Sequence, residues 1–180
     1  MVHEEAGAGR LPVGCRIRPA TEQDMPAIDA INRCAWGGGI TTHELLEQRH
    51  GLIDGLPWVE RMTAAATVHL ARSDVAVFVA ECEGRVVGYA AAQMEEGDHA
   101  SDIGIISYNA VHPDFQGQGI ATALIWRVKE HLKAQGARVL VVWTLEADEP
   151  ARHIYDKLGF SELTRFVYYS LDCDATTGGE

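Results

Sequence analysis

The sequence predicts a mixed α/β fold of the α+β kind, in which a mostly antiparallel central sheet is flanked by helices on both faces. One observation is a set of short stretches rich in β-branched and aromatic residues, which favour strands. The other is a set of longer stretches whose apolar residues recur at helical spacing. They follow one another as strand, helices, three strands, helix, strand, helix and strand, which is the order of a sheet with helices packed on it.

The first part of the chain is predicted to be one strand followed by helices. Residues 15–21 alternate apolar and polar side chains and contain Pro19, which indicates a short strand. The next segment has Ile28 and Ile31 near helical spacing and ends at the glycines 37–39. A second helical region, residues 40–72, is interrupted at residues 50–57.

Three strands are predicted in the middle of the chain. Residues 75–81 and 85–93 are β-rich and are joined by a short turn at residues 82–84, which indicates an antiparallel hairpin. After an acidic loop, residues 103–111 form a third long β-rich stretch, which ends just before Pro113.

The last part alternates helices and strands. A helix is predicted between Gly119 and Gly136, because an apolar residue recurs every four positions; these residues are Ile120, Leu124, Val128 and Leu132. Residues 139–144 are predicted to be a buried strand, residues 150–158 a short helix ended by Gly159, and residues 166–171 a closing strand.

Length and composition predict one domain over residues 15–172, between disordered tails at residues 1–14 and 173–180. A chain of 180 residues is long enough for one substantial core. No apolar run approaches the roughly 20 residues of a membrane span. The first ten residues lack the basic start and apolar stretch of a signal peptide, so we expect a cytoplasmic protein with no membrane partner.

The charge balance and the cysteines exclude several classes of function. The net charge of −11 repels nucleic acid phosphates and favours cationic small molecules as partners. Four cysteines are scattered, with no CxxC pair and no histidine at zinc-ligand spacing. We therefore expect no metal site and no disulfide framework, and we interpret Cys15, Cys34, Cys82 and Cys173 as buried thiols.

The stretch VHPDFQGQGIATAL, residues 111–124, places a glycine-containing loop without lysine or arginine immediately before a helix. Glycines at such a position let an anion approach the unpaired N–H groups and the partial positive charge of the helix start. The P-loop pattern GxxxxGK[ST] is absent, and Thr122 breaks the dinucleotide pattern GxGxxG. A diphosphate site of another kind remains, and a simple turn before a helix is the alternative.

Two segments resemble the GCN5-related N-acetyltransferase (GNAT) family. Residues 116–121, QGQGIA, match the family signature Q/R-x-x-G-x-G/A, and residues 151–160, ARHIYDKLGF, are similar to its second cofactor segment, A-x-x-x-Y-x-x-x-G-F. The resemblance covers residues 75–171 well and the preceding helices by the order of elements. It implies the acyl-CoA N-acyltransferase fold and acetyl-CoA as cosubstrate.

The resemblance also implies roles for individual residues. Tyr155 matches the tyrosine that protonates the leaving thiolate, with a core tyrosine as the alternative. Asp148 stands where the family often has an asparagine that contacts the cofactor arm, and Gln116 stands where arginine is commoner. The residues that would hold the cofactor by their backbone are Ala110 and Val111 for the pantetheine arm and Gln116, Gly117, Gln118, Gly119, Ile120 and Ala121 for the diphosphate.

No general base can be identified from the sequence. In one branch of the family a glutamate lies on the strand before the loop, and the aligned residue here is Ile106, which cannot accept a proton. The remaining candidates are Glu81, Glu95, Glu96, Tyr108 and His112, each with a structural alternative. The acceptor pocket would be built by residues 35–58 and 163–166, with Trp36, His43 and Trp58 as an aromatic wall or as simple packing.

The predicted function is direct acetyl transfer from acetyl-CoA to the primary amine of a small molecule, such as an amino acid-like compound, a polyamine or an aminoglycoside. Two alternatives stay open. One keeps the chemistry and changes the acceptor to a protein N-terminus or a lysine, and the other is an acyl-CoA-binding sensor without turnover. A homodimer is compatible with the sequence.

Overall fold

The computed structural model describes residues 10–36, 41–96 and 102–173. Helices and strands follow one another along the described chain in nearly the predicted order. The strands are β1 Cys15–Pro19, β2 Ala76–Cys82, β3 Arg85–Met94, β4 Ile103–Val111 and β5 Val139–Val141. The helices are α1 Met25–Ala35, α2 Thr42–His50, α3 Trp58–Leu70, α4 Ile120–Ala134 and α5 Glu149–Lys157.

The described strands form one sheet in the order β1-β2-β3-β4-β5. Strands β1 to β4 pair antiparallel with their neighbours, and β5 pairs parallel with β4. The parallel ladder is short, because it joins only residues 103–105 of β4 to residues 139–141 of β5. This arrangement confirms the predicted fold class, a mostly antiparallel sheet between helices.

Helices cover both faces of the sheet and define two apolar clusters. On one face, α4 and α5 bury Leu124, Val128 and Leu132 against the sheet, which is the stripe that the four-residue spacing predicted. On the other face, α1 packs Ile28 and Ile31 onto the sheet, and α3 adds Ala66 and Leu70. The two clusters hold β4 between them, so its side chains reach both faces.

A β-bulge in β4 changes which side chains face each cluster. Ala92 of β3 pairs with Ile106, whereas Ala91 pairs with Tyr108, so Ser107 has no partner residue of its own. Residues two apart on a regular strand share a face, and one extra residue reverses that relation. Ile106 therefore lies in the cluster of α4, and Tyr108 packs against the cluster of α1 and α3.

Two predictions at the carboxyl end of the chain are wrong. Residues 166–171 were expected to form a closing strand, but they have no regular structure, and none of the described residues 161–171 makes a backbone hydrogen bond to another backbone group. Strand β5 covers residues 139–141 instead of the predicted 139–144. Both stretches lack a neighbouring strand, and a β-rich sequence forms a ladder only where it has a partner to pair with.

The interpretation of all four cysteines as buried thiols is also wrong. Cys15 and Cys82 face each other across β1 and β2 and form a disulfide, while Cys34 and Cys173 are free and exposed. The two bonded residues are separated by 67 positions in the sequence, so only the sheet register brings them together. Of the predicted tails at residues 1–14 and 173–180, residues 1–9 and 174–180 lie outside the described residues. Leu11, within the predicted first tail, packs against the core.

Counting thiols tests the disulfide directly. We expect the unfolded protein to expose two reactive thiols without reductant, those of Cys34 and Cys173, and four after reduction. Reduction should also lower the free energy of unfolding by about 2–4 kcal/mol, because the cross-link restricts the unfolded chain. A Cys34→Ser/Cys173→Ser variant is the control, with no thiol before reduction. Four thiols in the unreduced wild-type protein would contradict the bond.

Candidate active site

A gap opens where β4 and β5 separate. Beyond Ile105 the remaining residues of β4, 106–111, continue without a strand on the side where β5 had paired. The chain after β5, residues 142–146, leaves the sheet and leads to α5. The predicted cofactor residues Ala110 and Val111 therefore lie at the end of a half-open strand, to which an extended molecule can add.

The loop after β4 presents a row of unpaired backbone donors. Gly117 and Gly119 have φ of +73° and +82°, a left-handed backbone that favours glycine, and α4 begins at Ile120. Within the described chain, no N–H group from Gly117 to Thr122 donates to another protein group. Successive free amides at a helix start form a concave site for an anion. The structure thus brings together the residues predicted to hold a diphosphate.

The side chains of the loop brace it and leave the amides open. The Gln116 Nε2 donates to the carbonyl oxygen of Val111 at 3.0 Å, and the Gln118 Nε2 donates to the carbonyl oxygen of Asp114 at 3.3 Å. Gln116 is exposed and ties the loop to the end of β4. At this position, where arginine is commoner in the family, the side chain of Gln116 therefore makes a structural contact and carries no positive charge.

Tyr155 lies beside the open half of β4. It sits on α5, is 9% exposed, and its hydroxyl oxygen accepts a hydrogen bond from the Asn109 Nδ2 at 3.3 Å. Burial raises the pKa of Tyr155, so the hydroxyl keeps its proton at neutral pH. Because its oxygen is held by Asn109, its own proton is available to another acceptor. Sequence reasoning missed Asn109, whose face of the strand is set by the bulge at Ser107.

Asp148 is the N-cap of α5. Its Oδ1 accepts the N–H of Ala151 at 3.2 Å, and its Oδ2 accepts the hydroxyl of Thr144 at 2.9 Å. An aspartate at this position satisfies a helix-start amide that would otherwise lack a partner. Both oxygens thus support the helix that carries Tyr155, while the predicted contact of Asp148 with the cofactor arm stays a prediction.

The acidic candidates for a general base lie in ion pairs or at the sheet margin. Glu81 accepts hydrogen bonds from Arg18 and Arg16 on β1, and these contacts lower its pKa, which weakens it as a base. Glu96 pairs with Arg72, and the backbone N–H of Glu95 bonds the carbonyl oxygen of Ile103.

Two further positions are accounted for by packing and turn geometry. Ile106, at the position of the family's glutamate, is 2% exposed in the core. His112 caps the short turn after β4, where its Nδ1 lies 3.3 Å from the N–H of Asp114. Its Nε2 lies 3.4 Å from the Arg85 guanidinium, so both ring nitrogens have protein neighbours.

A cluster of three rings occupies the other face of β4. The Tyr108 ring lies with its centroid 6.0 Å from that of Trp36 and 5.2 Å from that of His69. The Nε2 of His69 is buried and has no hydrogen-bond partner among the described residues. Burial and, to a smaller extent, Arg72 lower the pKa of His69, so the imidazole is neutral at pH 7. Sequence reasoning missed His69, because it is a single histidine on a helix.

The predicted acceptor wall is only partly assembled. Trp36 is 8% exposed and Trp58 packs against the same apolar cluster. His43 on α2 has a buried Nδ1 without a partner among the described residues, and burial lowers its pKa. Residues 163–166, the other predicted wall, are exposed, and the glycines 37–39 lie outside the described residues.

Comparison with known proteins identifies the family. The profile of the acetyltransferase (GNAT) family matches residues 41–160, which include the glycine loop after β4, the open half of β4 and Tyr155. The chain belongs to this family. Two negative findings apply to the described residues: no helix there is long and apolar enough to cross a membrane, and no group of three His, Cys, Asp or Glu side chains could hold a metal ion.

Relatives agree on the fold and differ in what they act on. An uncharacterised N-acetyltransferase of Methanocaldococcus jannaschii is 33% identical over 93 residues, which span 51% of this chain and 41% of that protein. The structure of AAC(6')-Iy with the bisubstrate analogue CoA-S-monomethyl-acetylneamine has a TM-score of 0.63, with 19% identity over 88% of this chain and 99% of its own. The ribosomal-protein-S18-alanine N-acetyltransferase of Escherichia coli has a TM-score of 0.59, with 23% identity over 83% and 79%.

Proposed function

We propose that this protein is an acetyl-CoA-dependent N-acetyltransferase that acts on the primary amine of a small molecule. The observation that carries the proposal is the run of free amides from Gly117 to Thr122 beside the open half of β4. The amides can hold the diphosphate, and the backbone of Ala110 and Val111 can pair with the pantetheine arm. Such an arm would direct the thioester toward Tyr155.

The proposed reaction is direct transfer. The amine nitrogen attacks the thioester carbonyl and forms the C–N bond, the C–S bond then breaks, and the thiolate takes a proton from the Tyr155 hydroxyl. The neutral amine loses one proton as it becomes the amide, so the site needs a proton acceptor as well as a donor. An amine that is protonated in solution must first lose another proton. An alkyl amine with a pKa near 10.4 is about three units from neutral at pH 7, which costs roughly 4 kcal/mol.

The ring cluster on the other face of β4 supplies a proton acceptor. The His69 imidazole is neutral at pH 7, and its buried Nε2 has no other use among the described residues. Tyr108 packs against it and lies on the strand that carries Ala110 and Val111. We therefore assign His69 the role of general base, with Tyr108 or a water passing the proton to it. Such a base contributes about 10² to 10⁴ in rate.

Charge and relatives favour a small cationic acceptor. The net charge of −11 attracts cations in general. Several of the similar structures are aminoglycoside acetyltransferases, among them one bound to a bisubstrate analogue and one bound to sisomicin. The second candidate is an alanine at a protein N-terminus, which is favoured by the likeness to the ribosomal-protein-S18 enzyme. Acetyl-CoA use favours a cytoplasmic protein, whereas the Cys15–Cys82 disulfide is typical of oxidising compartments.

Replacement of Tyr155 separates an enzyme from a binding module. We expect Tyr155→Phe to lower kcat by about 10² or more with acetyl-CoA affinity within about twofold of wild type, because only the proton donor is lost. The measurement is thiol release from acetyl-CoA with pooled amines: amino acids, polyamines, aminoglycosides and short peptides. Tyr168→Phe is the matched control, since it removes an exposed hydroxyl. No thiol release by the wild-type protein in any pool would favour the sensor.

The pH profile tests His69. Below the pKa of His69, two protons must be removed, one from the amine and one from the imidazolium, so log(kcat/KM) should rise with a slope of two. Above that pKa, which lies below 6.5, only the amine limits the rate and the slope should be one. His69→Gln should show a slope of one throughout and a rate reduced by about 10².

The control for this profile is His153→Gln, which changes an exposed histidine on α5. It should keep the wild-type break in slope. A break that persists in His69→Gln would assign it to another group.

Gln116 tests how far the backbone alone binds the diphosphate. Gln116→Arg should tighten CoA binding by about two- to fivefold at low salt, because it adds a cation at an exposed edge of the loop. The gain should shrink at high salt, where exposed charges are screened. Calorimetry measures both, and Gln116→Met, which loses only the contact with Val111, is the control. If Gln116→Arg bound CoA with an unchanged or larger dissociation constant than the wild-type protein, the prediction would be contradicted.

A further inference from the structure

We propose that Arg10 supplies the positive charge of the diphosphate site, from the short segment that precedes β1. The ligand of this arginine would be the diphosphate of CoA, so the inference rests on the proposed function. Arg10 lies outside residues 41–160, the part of the chain that the family profile matches. The proposed contact is therefore a feature of this chain that the two family segments do not contain.

The glycine loop has no cation of its own. Residues 116–126, which cover the loop and the first turns of α4, contain neither lysine nor arginine. The side chain of Gln116 is uncharged and donates to the carbonyl oxygen of Val111. Asp114, just before the loop, has a side chain that is 76% exposed and adds a negative charge. A cation from elsewhere in the chain would offset this charge and favour a bound diphosphate.

Two other arginines near the loop in the fold or in the sequence already have protein partners. The guanidinium of Arg85 lies 5.6 Å from the ring centroid of Phe115 and 3.4 Å from the Nε2 of His112. The guanidinium of Arg127, two turns into α4, lies 4.4 Å from the ring centroid of Phe78 on β2. A ring face attracts a guanidinium, so both side chains are held where they are.

Arg10 lies beside the loop and is not engaged. Its carbonyl oxygen is 3.4 Å from the position that a Cβ on Gly119 would occupy, so the two backbones are in contact. Gly119 belongs to the run of free amides from Gly117 to Thr122. Arg10 is exposed, and its side chain makes no hydrogen bond or ion pair within the described chain. The planar donors of its guanidinium suit phosphate oxygens and can reach a diphosphate bound at these amides.

The segment between Arg10 and β1 is anchored at several points. Leu11 packs against the apolar cluster of α4. The carbonyl oxygen of Pro12 accepts the N–H of Cys15 at 3.1 Å, which closes a tight turn, and the disulfide from Cys15 to Cys82 fastens that turn to the end of β2. The backbone of Arg10 is thus held beside the loop before a ligand binds, so only its side chain has to be ordered on binding.

Calorimetry with acetyl-CoA on the full chain tests the proposal. We expect Arg10→Gln to raise the dissociation constant about two- to fivefold at low salt, with a smaller effect at high salt, and Arg10→Lys to keep most of the affinity. The matched control is Arg138→Gln, which removes an equal charge beside Asp102, at the opposite end of β4 from the loop. It should bind as the wild-type protein does. No loss in Arg10→Gln, or an equal loss in Arg138→Gln, would overturn the proposal.

The 3′-dephospho form of acetyl-CoA identifies the phosphate concerned, because it keeps the diphosphate and lacks the 3′-phosphate. Arg10→Gln should weaken the binding of both ligands by the same factor. A loss with acetyl-CoA alone would assign Arg10 to the 3′-phosphate and overturn the proposal. If the wild-type protein bound neither ligand, the proposed function would fail together with this inference, whereas wild-type binding without a loss in Arg10→Gln would overturn the inference alone.

Reduction of the protein tests the anchor. Acetyl-CoA has no free thiol to attack the Cys15–Cys82 disulfide, so the bond can be kept or reduced independently of the ligand. A phosphine reductant should weaken binding by the wild-type protein toward the value of Arg10→Gln and should leave Arg10→Gln itself unchanged, with circular dichroism to check that both remain folded. An equal weakening of both proteins by the reductant would overturn the role of the disulfide in holding Arg10.

Discussion

The candidate site depends on the point at which β4 loses β5 as a neighbour. Three paired residues join the two strands, and beyond Ile105 the backbone of β4 has a free side. Buried peptide groups without partners are costly, so such an edge is stable only where water or a ligand can reach it. The loop amides begin where this edge ends, and Tyr155 is held against it through Asn109. The separation of β4 from β5 thus positions the loop amides, the open edge of β4 and the hydroxyl group of Tyr155.

In the proposed function, binding of the diphosphate by backbone amides accounts for a phosphate site in an acidic protein. The net charge of −11 opposes an anion at long range, but free amides act over one hydrogen bond and contribute about 1.5–3 kcal/mol each with a charged partner. Their direction is set by the positive φ of Gly117 and Gly119 and does not depend on any side chain. Gln116 is therefore free to brace Val111, and the loop keeps its donors without an arginine.

Patterns of neighbouring residues in the sequence predicted those features of the fold that depend on neighbouring residues. The loop, the stripe of α4 and the position of Tyr155 follow from residue order, and the structure places them as expected. The failures involve distant partners. Cys15 and Cys82 meet through sheet register, and Asn109 meets Tyr155 because an extra residue in β4 reverses its face. Residues 166–171 have a strand's composition, but composition does not provide a strand to pair with.

The bulge at Ser107 also determines how the proposed acid and base are arranged. In a regular strand Ile106 and Tyr108 would share a face, and one of the two clusters would hold both. With the extra residue, Asn109 turns toward Tyr155 while Tyr108 turns toward Trp36 and His69. A proton donor and a proton acceptor on opposite faces of one strand cannot neutralise each other directly. In the proposed reaction, proton transfer between them has to pass through the amine and the thioester at the end of β4.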